Sequence, residues 1–199
     1  SEILILNIPP KLRGDAKEHF VGKVQNIIAA VEASTVTKVL FVSSTSVFPD
    51  NNETITDSTI PKPDSESGLQ LLASEQLLKS NNNFQTTIVR FGGLIGGNRH
   101  PIHFLSGRKN IENPDAPINL IHLDDCIGII KKIIEKDIWG EAFNAVTPFH
   151  PSRKTYYLQK AMALNLEVPE FITDKKSVGK TILSEKVSAV LGYTFIQNP

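Results

Sequence analysis

The residues best suited to chemistry form one short run, Val42-Ser43-Ser44-Thr45-Ser46-Val47-Phe48. It closes an apolar stretch of strand length, and hydroxyls at the carboxyl end of a strand can point into the crevice of an open α/β sheet. There they donate hydrogen bonds to a substrate oxygen or a nicotinamide amide without acting as nucleophiles. The competing reading is a turn whose Ser and Thr side chains satisfy their own backbone. A second set, Arg99, His100, His103 and Arg108, is a cationic cluster suited to a phosphate or carboxylate on a ligand. Just before it, Gly92-Gly93 and Gly96-Gly97 either permit close backbone approach to a flat ring or simply loosen a strand exit. No metal site is expected. His100-x-x-His103 lacks a third ligand at defined spacing, and His122-x-Asp124-Asp125-Cys126 reads as a strand exit followed by helix-capping acids.

Three other matches fail on context. Gly179-Lys180-Thr181 imitates the tail of a phosphate-binding loop, but Asp174 stands where its first Gly belongs. Asn52-Glu53-Thr54 is a glycosylation sequon by pattern and is read as loop. Tyr156 and Lys160 share one face of a predicted helix, where surface or packing roles suffice.

The elements that must position these residues alternate along the chain. Ile3 to Leu6, Lys38 to Val42 and Thr86 to Phe91 are apolar and β-branched, the pattern of strands covered on both faces of a parallel sheet. Asp15 to Ala33 and Ser65 to Leu78 carry helical stripes between them, so the order is βαβαβ. Such an order builds a doubly wound layer whose ligands sit at the carboxyl ends of the strands. Beyond it, Gly92 to Pro117 reads as a long loop or lobe. A helix over Leu123 to Glu135 follows, then a strand over Glu141 to Val146, a helix over Ser152 to Leu164, an extended Val168 to Ile172 and a short helix over Ser184 to Leu191. The predicted fold class is α/β, a Rossmann-like doubly wound parallel sheet with a small α+β C-terminal lobe. Residues 1–97 carry the sheet, and 98–199 mix the substrate-side lobe with a return to the sheet over 118–146.

Composition narrows the function classes. The 199 residues hold 21 Lys and Arg against 21 Asp and Glu, with no basic stripe, so a nucleic-acid partner is not expected. No apolar run approaches the roughly 20 residues of a membrane helix, so no membrane partner is expected either. The lone Cys126 fits a reducing, cytoplasmic compartment and reads as a packed thiol of low reactivity.

Taken in order, Ser-Ser-x-x-Val-aromatic, a Pro-rich loop, a helix, Arg90-Phe91-Gly92-Gly93-Leu94-Ile95-Gly96 and Asn119 to Asp125 resemble the extended short-chain dehydrogenase/reductases. These are the NAD(P)-dependent epimerases and dehydratases; Asn7-Ile8-Pro9-Pro10 and Arg99-His100-Pro101 look most like their atypical subgroup. The resemblance covers Ile3 to about Phe195 and implies NAD or NADP as cofactor and a small-molecule ligand. It implies that Ser44 orients the substrate, with Thr45, Arg99, His100 and Arg108 beside it. On the cofactor side it implies Ile8, Pro9, Pro10, Ser43, Phe91, Gly92, Gly93 and Leu94.

Two departures matter. The family's Tyr-x-x-x-Lys falls on Ser67 and Leu71. A serine hydroxyl titrates far too high to replace the phenol, and leucine offers no charge to lower a neighbour's pKa. The resemblance also places Ile3 to Leu6 on the family's fourth strand, with no Gly-x-x-Gly-x-x-Gly turn for a pyrophosphate before it. Beginning at Ser1, the chain is expected to be the C-terminal part of a larger Rossmann-type protein or a degenerate relative, and to bind dinucleotide poorly by itself. Two functions remain open: a non-catalytic dinucleotide-binding or redox-sensing protein, or an active epimerase, dehydratase or reductase acting on a sugar-nucleotide-like or other anionic molecule.

Overall fold

The structure, a computed structural model, describes residues 2–10 and 19–199. In chain order the first elements are β1 (Ile3–Leu6), α1 (Phe20–Glu32), β2 (Lys38–Ser44), a 3-10 turn (Thr45–Val47), β3 (Thr54–Ile55), α2 (Glu66–Lys79) and β4 (Gln85–Phe91). The second half adds β5 (Gly93–Ile95), α3 (Ile102–Leu105), β6 (Leu120–His122), α4 (Leu123–Glu135), β7 (Ala142–Ala145), α5 (Arg153–Ala163), β8 (Thr181–Ile182) and α6 (Glu185–Leu191). Four strands form one parallel sheet in the order β1-β2-β4-β7. Parallel neighbours need long crossovers, and α1, α2 and α4 provide them. This is the α/β Rossmann-like sheet that the sequence predicts.

Strand alternation divides the core. Val39 and Phe41 of β2 and Ile88 of β4 turn toward Phe20 and Val24 of α1 and Leu71 and Leu78 of α2. Leu40 of β2, Val89 and Phe91 of β4 and Phe143 of β7 turn the other way, onto Ile129 and Ile133 of α4 and Val187 and Leu191 of α6. A third cluster, Ile95, Ile102, Ile118, Leu120, Tyr156, Tyr157 and Ala161, holds α3 and α5 on the β5–β6 pair. The register aligns Ser44 with Phe91, and Phe91 with Ala145, so the carboxyl ends of three strands lie level.

Most predicted helices start where their caps dictate. Ser65 Oγ accepts the Gly68 N–H at 3.2 Å and Ser152 Oγ the Thr155 N–H at 3.2 Å. Helix α1 starts at Phe20; the earlier residues predicted for it, Asp15 to Glu18, lie outside the described residues. Other expectations need correction. Gly92 to Pro117 is no plain loop: β5 pairs in parallel with β6, and α3 follows. Three-residue strands and a four-residue helix are too short for any periodicity to register. The extended Val168 to Ile172 carries one bridge, from Phe171 to Ile111, and the two-residue pair β3–β8 has no counterpart in the sequence pattern. The acids after β6 are not caps. His122 Nδ1 accepts the Asp124 N–H at 3.2 Å, while the buried Asp125 carboxylate accepts the Tyr193 hydroxyl at 2.9 Å and the Ile196 N–H at 2.8 Å. Asp125 therefore ties the C-terminal segment to α4.

Candidate functional site at the carboxyl edge of the sheet

Adjacent serines at the end of β2 point to opposite faces, because side chains alternate along a strand. Ser43 is buried on the α2 face and donates to Glu75 Oε1 at 2.6 Å. Glu75 in turn accepts Arg90 Nε at 3.0 Å and Nη2 at 2.7 Å. The Ser43 hydroxyl, predicted to meet a cofactor, is thus committed to a buried ion pair. Ser44 lies on the other face, in register with Phe91. Its Oγ accepts the Ser46 N–H at 3.2 Å and caps the 3-10 turn. That bond occupies an oxygen lone pair and leaves the hydroxyl proton without an acceptor among the described residues, so Ser44 satisfies its turn and keeps a donor for a ligand. Thr45 is buried beside it, and its carbonyl accepts the Phe48 N–H at 3.2 Å.

A cleft of about 350 Å³ opens on the Ser44 face. Asn7 after β1, Val42, Phe91 and Leu94 line it, with Arg99 on its rim and Leu123, Cys126, Ile127 and Ile130 of α4 as its wall. Phe91, Leu94 and Arg99, singled out separately in the sequence, come together here. Ile8 packs instead against the α1 and α2 core, Pro9 is exposed and Pro10 half-buried. A larger cleft of about 570 Å³, between Phe195, Ser184 and His150, contains none of the residues expected to do chemistry. Burial, with Asp125 next in the chain, pushes the Cys126 thiol up to about 12, so it is not a nucleophile.

The glycines have packing reasons. A Cβ on Gly92 would stand 2.6 Å from the Asn119 carbonyl oxygen, and one on Gly93 2.7 Å from Leu120 Cδ2. Their close approach is to β6. Gly96, at φ +130°, exchanges both backbone hydrogen bonds with Arg99 at 3.0 Å, and that tight turn sets Arg99 on the rim.

The expected cationic cluster comes apart. His100 Nδ1 accepts the Ile102 N–H at 3.1 Å, which assigns the ring proton to Nε2, where it donates to the Tyr156 hydroxyl at 2.8 Å. Burial above all, then Lys160 and His103, lowers its pKa to about 4, so His100 is neutral near pH 7 and is no anion clamp. Arg108 does not line the cleft; its carbonyl accepts the Glu170 N–H at 2.8 Å and its side chain is exposed. Among the described residues no three His, Cys, Asp or Glu side chains gather into a metal-ligating group.

Residues 13–146 match the profile of the NAD dependent epimerase/dehydratase family. The chain belongs to the NAD-dependent epimerase/dehydratase family. Protein YeeZ of Escherichia coli strain K12 is 31% identical to it over 196 residues, covering 98% of this chain and 71% of that protein. Among solved structures, RMD from Pseudomonas aeruginosa complexed with NADPH superposes with a TM-score of 0.83 at 15% identity, covering 99% of this chain and 76% of that one. MoeE5 in complex with UDP-glucuronic acid and NAD gives 0.82 at 16%, covering 99% and 75%. A functionally unknown conserved protein from Silicibacter pomeroyi gives 0.78 at 20%, covering 97% and 72%.

Within this epimerase/dehydratase fold, the first turn of α2 packs on the turn after β2: a Cβ on Gly68 would run into the Ser46 carbonyl. Ser67 and Leu71, expected to stand in for the family's tyrosine and lysine, lie on this helix. Ser67 is half-buried, and Leu71 is 3% exposed in the core with Phe41 and Ile88. The sequence reading missed Glu75 and Asn7. Glu75 had a signal: an acid on an apolar helix face, matched by Arg90 inside an apolar strand, announces a buried ion pair. Asn7 heads the Asn7-Ile8-Pro9-Pro10 segment that the resemblance singles out, but it was not itself named as a site residue. No helix among the described residues is long and apolar enough to cross a membrane.

Proposed function

We propose that this chain is the nicotinamide side of a dinucleotide-binding protein that has given up the family's acid–base pair and works as a binder or redox sensor. The observation that carries the reading is Leu71. An apolar side chain 3% exposed fills the lysine's position as part of the core, and no cation can enter without breaking that packing. The residues present fit the nicotinamide half of NAD or NADP: an apolar cleft lined by Val42, Phe91, Leu94 and α4, with Asn7 as a polar member, on the same face of the sheet as the Ser44 donor. Bound there, the cofactor would supply a hydride donor or acceptor. On the chain's side, the Ser44 hydroxyl can orient a ligand oxygen but titrates far too high to move its proton. Residues 1–97 carry the cofactor side, and 98–199 the ligand side, with 118–146 returning to the sheet. The ligand is a small molecule, and the lone buried thiol fits a cytoplasmic setting.

Fluorescence titration with reduced nicotinamide mononucleotide, NADH and NADPH tests this. The 199-residue chain should bind the mononucleotide weakly and gain little from the adenylate, since its residues include no pyrophosphate turn; Ser44→Ala should weaken that binding. Hydride exchange between NAD and UDP-glucose or UDP-glucuronic acid should be absent. Sub-micromolar affinity of this chain for NADH, or robust turnover, would overturn the proposal.

A second reading, an active enzyme on an anionic small molecule, rests on Arg99 in the cleft that opens on the face of the sheet carrying Ser44. Turnover that survives Tyr156→Phe and vanishes in Ser44→Ala would establish it.

A further inference from the structure

The Arg90 guanidinium has an edge to spare. β4 is paired with β2 on one side and β7 on the other, so only the Arg90 side chain reaches beyond the sheet. Glu75 takes the side edge: Nε lies 3.0 Å from Oε1 and 3.2 Å from Oε2, and Nη2 2.7 Å from Oε2. Ser43 holds the carboxylate from the far side at 2.6 Å, and the Phe48 ring centroid lies 5.3 Å from Cζ. A guanidinium carries five N–H donors in a rigid planar fork. The end edge, made of Nη1 and the second hydrogen of Nη2, has no acceptor among the described residues. The side chain is 9% exposed, yet Nη1 is not among the sealed, partnerless polar atoms, which are Asn144 Oδ1 and Thr147 Oγ1. It therefore touches solvent, and Arg90 lines a cleft of about 380 Å³ together with Pro61, Leu72, Glu75, Gln76, Lys79 and Ser80.

We propose that this cleft binds a small organic carboxylate, gripped in two-point fashion by the free edge of Arg90. Glu75 and Arg90 cancel, and Lys79 leaves the site one positive charge, which matches a monoanion. Gln76 adds a side-chain amide, while Leu72 and Pro61 offer an apolar wall for the ligand body. The carboxyl end of α2 lies nearby and would repel an anion if its carbonyls were bare. They are not: Gln76 O accepts the Ser80 N–H at 2.9 Å, Leu77 O the Ser80 hydroxyl at 3.1 Å, and Leu78 O the Thr86 hydroxyl at 3.0 Å. Ser43 and Phe48 fix the guanidinium before any ligand arrives, so little is lost in ordering it. This site lies on the α2 face of the sheet, opposite the Ser44 cleft, and stands independently of the dinucleotide reading.

The test is a titration of the 199-residue chain with benzoate, followed in 1H–15N spectra at the Arg90 Nε–H and the backbone amides of α2. Saturable shifts are expected at Arg90, Gln76 and Ser80, and benzamide, the neutral counterpart, should leave them unmoved. Arg90 is too deep to replace safely, so the informative variant is Lys79→Gln on the surface, which should weaken benzoate about fivefold. Absence of any Arg90 shift, equal response to benzamide, or undiminished affinity in Lys79→Gln would overturn the proposal. Tighter binding of phenyl phosphate than of benzoate would overturn the assignment to carboxylates.

Discussion

Helices α2 and α5 each carry a pair at the spacing where a tyrosine and a lysine act together, and each lacks what the other has. On α2, where the pair is expected, the first turn packs against the turn after β2 at Ser46, but the side chains are Ser67 and Leu71. On α5 the side chains are right, Tyr156 and Lys160, but they belong to the lobe. Tyr156 is buried against His100 and Tyr157, and the Lys160 ammonium lies 5.5 Å from its ring centroid. Burial raises the Tyr156 pKa, the opposite of what a phenol activated for proton transfer requires. An i, i+4 pair becomes a catalytic device only when the fold brings it to the strand ends; elsewhere the same residues serve packing.

The sharpest way to break that contrast is to restore the missing charge on α2. Leu71→Lys should cost about 3 kcal/mol or more, because it removes a buried leucine and inserts an ammonium into an apolar core. Chemical denaturation reads this directly, and a cost below about 1 kcal/mol would mean that the position can open to solvent and that a lysine could have worked there. Glu75→Gln, one turn further along, should cost about 3 kcal/mol by stranding the buried Arg90 charge. A stability unchanged by that substitution would show the ion pair to be dispensable for holding the end of β2.

The α5 side can be tested by acid. His100 is held neutral in the fold, with its pKa lowered to about 4 from 6.5, so its contribution is present above pH 6.5 and is lost as the pH falls from there to about 4. Because His100 is only half-buried, screening reduces the effect to about 1 kcal/mol. Melting temperatures across that window should fall more steeply for the natural protein than for His100→Gln. Parallel curves would mean that His100 titrates freely and that its bond to Tyr156 is incidental.

The contrast also marks where sequence reading works. The strands, the helical stripes and the parallel order follow from patterns of four residues or more, and chain order ties the start of α2, which carries Ser67 and Leu71, to the end of β2. What escaped depends on a third dimension that spacing does not encode. Ser43 and Ser44 look equivalent on paper, yet alternation sends one to Glu75 and the other to the opposite face of the sheet. Arg99, His100 and Arg108 look like one cationic cluster, but a turn at Gly96 sets the first on the rim, Tyr156 holds the second and the third follows the segment paired with Glu170. Their charges were legible; their company was not. Glu75 and Arg90, 15 residues apart, were the exception that composition could have revealed, since each is a charge in an apolar pattern.

The smallest expected effect separates the two helices most cleanly. If Lys160 served Tyr156 as the family's lysine serves its tyrosine, Lys160→Met would abolish function. On the geometry it loses only a partly exposed contact with a ring, about 0.5 kcal/mol, and leaves any nucleotide binding at the Ser44 cleft unchanged. One signal should still move. The Lys160 charge is among the causes that depress the His100 pKa, after burial, so its removal should shift the His100 titration upward in proton NMR. An unmoved titration would separate Lys160 from the His100–Tyr156 pair, whereas a loss of nucleotide affinity would bring α5 back to the site. An upward shift with affinity intact is what packing chemistry, without catalysis, predicts for a tyrosine and a lysine four residues apart.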